Sequence, residues 1–348
     1  MKQILIVDDN ISILKQIAAH LESDYEVILA KSGLLALQIC MREKPDLILL
    51  DIEMPELDGF DVISRLKHNP YLNRIPVIFL TASHDSAIEV KALESGARDF
   101  ITKPVERNIL LHRIALHLRL TSYQAKTEET VTTLSDSIAI SFAELIECRD
   151  ENTGGHVMRT SKIVEILGRE LIEKNIFPEE LSLPELQLIV RAAPLHDLGK
   201  IAISDRVLLK ASKLDDVEFT IMKRHAAVGG EIIGRMYRRL PTQHYLYYAS
   251  LIASSHHERY DGKGYPTGLK GDEIPLCARI MAVADVYDAV IANRVYRTGM
   301  SQVQALNIIN SSSGTQFDPQ VVKAFENTID ELHRQYQSAL NTEATKSG

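Results

Sequence analysis

The chain has only three cysteines, Cys40, Cys148 and Cys277, widely spaced and outside any CxxC pair. Such residues build neither a disulfide framework nor a thiolate metal site, and are expected to be buried thiols. No uncharged apolar run approaches the roughly 20 residues that a membrane-spanning helix needs. The opening MKQILIVDDN reaches acidic residues without an apolar h-region or small-residue cleavage site, so no secretion signal is read and a cytoplasmic protein is expected. Acidic residues outnumber basic ones, 47 to 39. A formal charge of −8 argues against sequence-independent binding to nucleic-acid backbone, and no DNA-binding domain is expected; a small anionic ligand needs only a local basic pocket. Between Pro104 and Gly154 there is neither proline nor glycine, which predicts a helical joint rather than a flexible linker.

What is present divides at that joint. A chain of 348 residues accommodates two domains of ordinary size, each with its own core. In the first, the apolar runs ILIVDD, YEVILAK, DLILLDI, PVIFLTA and DFITKP alternate with segments of helical period. This is a βαβ pattern, which implies a five-stranded parallel sheet covered on both faces, with ligands gathering beyond the carboxyl ends of the strands. Asp8 and Asp9 close the first strand, Asp51 the third and Thr81 the fourth, while Lys103 follows the fifth. Turn and cap duties would explain any one of them singly. Three converging carboxylates would repel unless a hard cation lay among them, and Mg²⁺ prefers such oxygen ligands. A carboxylate held beside Mg²⁺ and an ammonium can accept a phosphoryl group.

Along the joint, Val131, Leu134, Ile138, Phe142 and Leu145 recur at spacings of three or four. A helix with one narrow apolar stripe must bury it, either in its own domain or against a second copy of the chain. His112 and His117 precede this stripe and read as ordinary surface or boundary histidines.

The second half is helical throughout by period and composition. Its least helix-like stretch is HHERYDGKGYP, 256–266, a loop punctuated by Gly and Pro and opened by two imidazoles. A double His alone is usually a surface pair, but His156, the His196-Asp197 pair, His225 and Asp285 add to it. Five nitrogen donors and two carboxylates exceed what one metal ion needs. In an all-α domain they must be gathered from several helices; adjacent His196 and Asp197 on one helix diverge by about a quarter turn, so both reach one metal cluster only if it sits beside their junction, where an Asp can bridge two ions. Two close metals lower the pKa of a water and clamp attacking and leaving oxygens in phosphodiester hydrolysis. Lys200, one turn beyond Asp197, lies near enough to contact the phosphate or protonate the leaving oxygen, its alternative being a solvated lysine. Arg294 and Arg297 suit phosphate or guanine edges.

The first domain, with DIEMPELDGF around Asp51, resembles a response-regulator receiver of flavodoxin-like fold. The resemblance implies that Asp51 accepts the phosphoryl group from a cognate sensor histidine kinase, that Asp8, Asp9 and the backbone carbonyl of Glu53 hold Mg²⁺, and that Thr81 and Phe100 are switch positions. From about Arg149 to Phe325, the order HDLGK, lone His, HHERYDGKGYP and ADVYDAV resembles the HD-GYP family, which hydrolyses cyclic di-GMP. By that resemblance Asp197 bridges two divalent transition-metal ions, iron, manganese or similar. His156, His196 and Asp285 complete one ion and His225, His256 and His257 the other. Lys200 is catalytic, Arg294 and Arg297 hold the dinucleotide, and Gly264, Tyr265 and Pro266 form the name motif.

Asn152 departs from the pattern, standing where members with a third metal carry Glu. This points to two ions and to linear pGpG rather than GMP as main product, unless Glu151 substitutes. The expected organisation is a receiver over 1–122, a helical linker over 123–137 that pairs two chains, an HD-GYP domain over 138–335 and a frayed polar tail over 336–348. Alternatives are an HD phosphohydrolase for another nucleotide, or a weakly catalytic scaffold that binds cyclic di-GMP or diguanylate cyclases through the GYP surface.

Overall fold

The computed structural model describes residues 1–82, 86–149, 155–292 and 299–346, with side chains given for all of these except 86 and 336–346. The chain divides into two compact units, Met1–Thr132 and Thr133–Gly348.

In the first unit each apolar run forms a strand: β1 (Gln3–Val7), β2 (Glu26–Ala30), β3 (Leu47–Asp51), β4 (Val77–Thr81) and β5 (Asp99–Thr102). They make one parallel sheet in the order β2-β1-β3-β4-β5. Successive side chains alternate across it. Leu5 and Val7 enter one apolar layer with Val62 and Phe79, while Ile4 and Ile6 enter the other with Leu14, Ile17 and Ile114. Helices α1 (Ile11–Leu21), α2 (Gly33–Glu43), α3 (Gly59–His68) and α4 (Ser86–Glu94) connect the strands. Asn10, Ser32 and Asp58 cap the first three by accepting backbone N–H bonds from Ser12, Leu35 and Asp61. The register places Val7 beside Leu50 and Thr81 beside Thr102, so Asp8, Asp51, Thr81 and Lys103 share one edge of the sheet.

Helix α5 runs unbroken from Arg107 to Arg149, as a segment without proline or glycine permits. Its stripe of Val131, Leu134, Ile138, Phe142 and Leu145 is 48–63% exposed, while Ala143 and Ile146 on another face are buried. Two readings along this helix are corrected. His117 is buried, because Asp99 of β5 supplies a carboxylate 3.0 Å from its Nε2. Cys148 is exposed on the helix surface, whereas burial holds the Cys40 and Cys277 thiols up at about 11 and about 12.

The second unit is helical: α6 (His156–Glu173), α7 (Leu183–Ala192), α8 (Asp205–Leu208), α9 (Asp216–Arg239), α10 (Tyr245–Ser255), α11 (Leu276–Ile291), α12 (Gln302–Ser311) and α13 (Pro319–Lys346). Helix α11 is apolar nearly all round and is correspondingly buried. Phe317, Val321 and Phe325 pack in the same core, with the Phe325 ring 5.1 Å from that of Tyr287. Helix α13 continues to Lys346, so the backbone expected to fray after 336 is helical, in a stretch that contains neither proline nor glycine.

Candidate metal centre and phosphoacceptor site

At the sheet edge, Asp8, Asp9 and Asp51 present oxygens that all lie within 4.8 Å of one another. Lys103 reaches across them, its Nζ 2.7 Å from Asp8 and 2.9 Å from Asp51. Burial pushes the Asp51 carboxyl upward, and the Lys103 ammonium opposes that push. Thr81 is buried at the end of β4, and the Lys103 amide donates to its carbonyl at 2.7 Å. Phe100 is partly buried on β5, and Glu53 is exposed in the loop after β3.

In the second unit, α7 ends at Ala192 and short 3₁₀ turns follow, Ala193–Leu195 and Leu198–Ala202. His196 and Asp197 therefore lie between two tight turns rather than within a helix, a change introduced at Pro194. Three residues per turn sets Lys200 over Asp197, with Nζ 2.9 Å from Oδ2. Gly199 permits a close crossing by α9, since a Cβ there would lie 1.9 Å from the His225 carbonyl.

The seven candidate ligands come together as two groups, Asp197 with His225, His256 and His257, and His156 with His196 and Asp285. Asp197 faces both. Its Oδ1 lies 3.3 Å from His225 Nε2 and 3.7 Å from His256 Nε2, while Oδ2 lies 3.5 Å from His196 Nε2. His156 Nε2 is 3.4 Å from His196 Nε2 and 3.6 Å from Asp285.

The imidazoles are oriented by their other nitrogens. Nδ1–H of His196 donates to the Ala193 carbonyl at 3.0 Å, that of His225 to Met222 at 2.7 Å and that of His256 to Ile252 at 3.0 Å. In this tautomer each Nε2 lone pair faces the Asp197 carboxylate, as metal ligation requires. Two acceptors cannot hydrogen-bond, and Asp197 Oδ1, His225 Nε2 and His256 Nε2 are buried without hydrogen-bond partners. A divalent cation fits that donor set. Burial, reinforced by the neighbouring imidazoles, holds His257 well below the usual histidine range and therefore neutral. Burial would raise the Asp197 carboxyl, and the Lys200 ammonium beside it opposes that push.

Four supporting residues escape a reading of the sequence. Asp288 accepts from His156 Nδ1 at 2.7 Å and is itself held by Arg159. Each lies three residues beyond a candidate ligand on the same helix, Asp285 and His156 respectively, a spacing that signals a shared face. Glu258, directly after the double His, is buried and accepts from the Thr267 and Gly268 amides, which fixes the following loop. Glu147 at the end of α5 is buried beside the centre. Within the loop, a Cβ on Gly264 would lie 2.3 Å from the Arg259 nitrogen, so the backbone closes tightly there. The Tyr265 ring lies 4.7 Å from that of His257, and Pro266 is exposed. Arg294, Arg297, Glu151 and Asn152 lie outside the described residues.

An α/β phosphoacceptor unit and a helical unit with a buried His/Asp centre define a signalling hydrolase by fold and site. A receiver-domain model matches residues 4–115, and a model described as an HD domain matches 141–321, just over half of the chain. The chain belongs to the HD-domain family, here joined to a response regulator receiver domain. It is 40% identical over 337 residues to a probable cyclic di-GMP phosphodiesterase of Vibrio cholerae, covering 92% of this chain and 76% of that protein. It is 36% identical to the cyclic di-GMP phosphodiesterase response regulator RpfG of Xanthomonas campestris, covering 92% and 86%. A cyclic di-GMP phosphodiesterase of Thermotoga maritima is 32% identical, with 99% and 95% covered. No helix among the described residues is long and apolar enough to cross a membrane.

Proposed function

We propose that the chain is a response regulator whose helical unit opens cyclic di-GMP to linear pGpG with a dinuclear metal centre, under control of phosphorylation at Asp51. One observation carries the reading: the Asp197 carboxylate presents one oxygen to each imidazole group, with Lys200 beside it. Two ions, iron, manganese or similar, would be held by His156, His196 and Asp285 on one side and by His225, His256 and His257 on the other, with Asp197 serving both groups. When bound, they supply an acidified water and positive charge for the phosphoryl oxygens. Lys200 donates a proton to the 3′-oxygen as the P–O3′ bond breaks and the new P–O bond from water forms, leaving a 5′-phosphate on pGpG. Tyr265, in a loop shaped by Gly264 and Pro266, walls the His257 side, and Arg294 and Arg297 hold the dinucleotide.

In the first unit, Asp8, Asp9 and the Glu53 carbonyl would hold Mg²⁺ where Asp51 takes the phosphoryl group from a sensor kinase. Lys103 neutralises it, and Thr81 and Phe100 relay the change. The exposed α5 stripe favours pairing of two chains along that helix. The reading places the protein in the cytoplasm, where this substrate and kinase meet it.

The test is incubation of Mn²⁺-loaded full-length protein with cyclic di-GMP, with and without acetyl phosphate, and chromatography of products. The expected result is pGpG formation that chelator abolishes and acetyl phosphate alters through Asp51. Intact cyclic di-GMP after incubation, alongside cleavage of another nucleotide, would overturn the substrate.

A further inference from the structure

Glu147 has no part in the reading above, yet it is 92% buried and neither of its carboxylate oxygens has a hydrogen-bond partner among the described residues. Native proteins rarely bury an unsatisfied carboxylate, because the desolvated charge has nothing to offset it. Its position is fixed. Arg149, two residues on, bonds Asp205 at 2.6 Å and the Ile203 carbonyl at 3.3 Å, and Asp136 toward the start of the same segment bonds Arg191 at 2.7 Å. These ties seat the last turns of α5 against the 3₁₀ turns that carry His196 and Asp197.

The Glu147 side chain lines a cavity of about 20 Å³ together with His156, His196, Asp197 and Lys200, and its two oxygens are buried beside it. That volume admits one water and little more. Glu147 is not in the set His156, His196 and Asp285, whose ligating atoms all lie within 4.8 Å of one another. It lines the same cavity as His156 and His196 of that set.

We propose that Glu147 is a positioning residue of the metal centre, its buried carboxylate adding negative charge beside the His156, His196 and Asp285 group and so strengthening that group's hold on its ion. The inference rests on the two-metal reading of the site. A carboxylate in such an outer position orients the inner ligands and adds negative charge beside a cation, and its loss typically weakens metal affinity ten- to a hundredfold.

The test measures metal, without substrate. Full-length wild type, Glu147→Gln and Glu147→Asp are stripped, titrated with Mn²⁺, and followed by elemental analysis and electron paramagnetic resonance, with circular dichroism of each metal-free form. Gln keeps shape and removes charge; Asp keeps charge and shortens reach. The expected result is one Mn²⁺ weakened about ten- to a hundredfold in Gln, partly restored in Asp, the other ion unchanged, and equal helicity in all metal-free forms. Two ions bound by Glu147→Gln with wild-type affinity and spectrum would overturn the assignment. So would a Gln variant that has lost helicity before metal is added, since Glu147 would then be structural. Wild type that takes up no Mn²⁺ would remove the metal centre itself, and the assignment with it.

Discussion

The Asp288 carboxylate joins His156 to Arg159, accepting from His156 Nδ1 at 2.7 Å and from Arg159 Nε at 2.7 Å. It sets which face of the His156 ring is presented to His196 and Asp285, and it carries a counter-charge for a buried guanidinium. Asp288→Asn should therefore keep the fold and weaken metal binding at this group by about ten- to a hundredfold. Asp288→Ala breaks a buried ion pair and should destabilise the second unit by about 3–5 kcal/mol. Metal titration and urea unfolding separate the two effects; a wild-type metal affinity in Asp288→Asn would contradict the ring-orienting role.

Lys200 lies over Asp197 because a 3₁₀ turn eclipses residues three apart. Removing its proton should slow cleavage about 10²- to 10⁴-fold at unchanged metal content. Lys200→Gln, assayed for kcat alongside elemental analysis, checks this. Retained turnover would return Lys200 to a merely structural partner of Asp197.

At Asp99, burial raises the carboxyl, but hydrogen bonds from His117 and Arg113 outweigh it and hold the group below its ordinary value. A lowered carboxyl pKa contributes stability above the unfolded value, about 4, and that contribution is lost as pH falls through the folded value. Asp99→Asn should thus cost the first unit about 1–3 kcal/mol at pH 7, with the difference from wild type shrinking as pH falls toward 3. Chemical unfolding of both proteins across that range decides the matter; a difference independent of pH would mean that the carboxylate charge is not responsible.

In the phosphoacceptor site, Lys103 stands between Asp8 and Asp51 at 2.7 and 2.9 Å. Without the ammonium, burial is less opposed and Asp51 becomes a poorer nucleophile. Acetyl phosphate with Mg²⁺ should add one phosphoryl mass to wild type, none to Asp51→Asn, and add it more slowly to Lys103→Met. Mass gain in Asp51→Asn would place the acceptor elsewhere.

The strands were legible because a parallel sheet buried on both faces demands near-continuous apolar runs, and ILIV, LILL and VIFL are such runs. The clustered imidazoles and carboxylates were legible because histidine is rare and five of them fall among short motifs. What supports them was not. Asp288 and Arg159 read as ordinary polar positions on helices, and only tertiary packing places them against His156. Glu147 sits in a polar helix where burial leaves no local trace. His117 was misread since its partner, Asp99, lies on a strand 18 residues earlier. The helical period around the His196-Asp197 pair favours a helix through it, whereas Pro194 and the close crossing at Gly199 produce tight turns.

A role for Asp197 in joining two metal ions that cleave cyclic di-GMP is tested most directly by pairing metal count with turnover in Asp197→Ala. Wild type should hold about two ions per chain and yield pGpG. The variant should keep its helicity, hold at most one ion and yield no product. An Asp197→Ala protein that retains both ions and near-wild-type turnover would contradict the account.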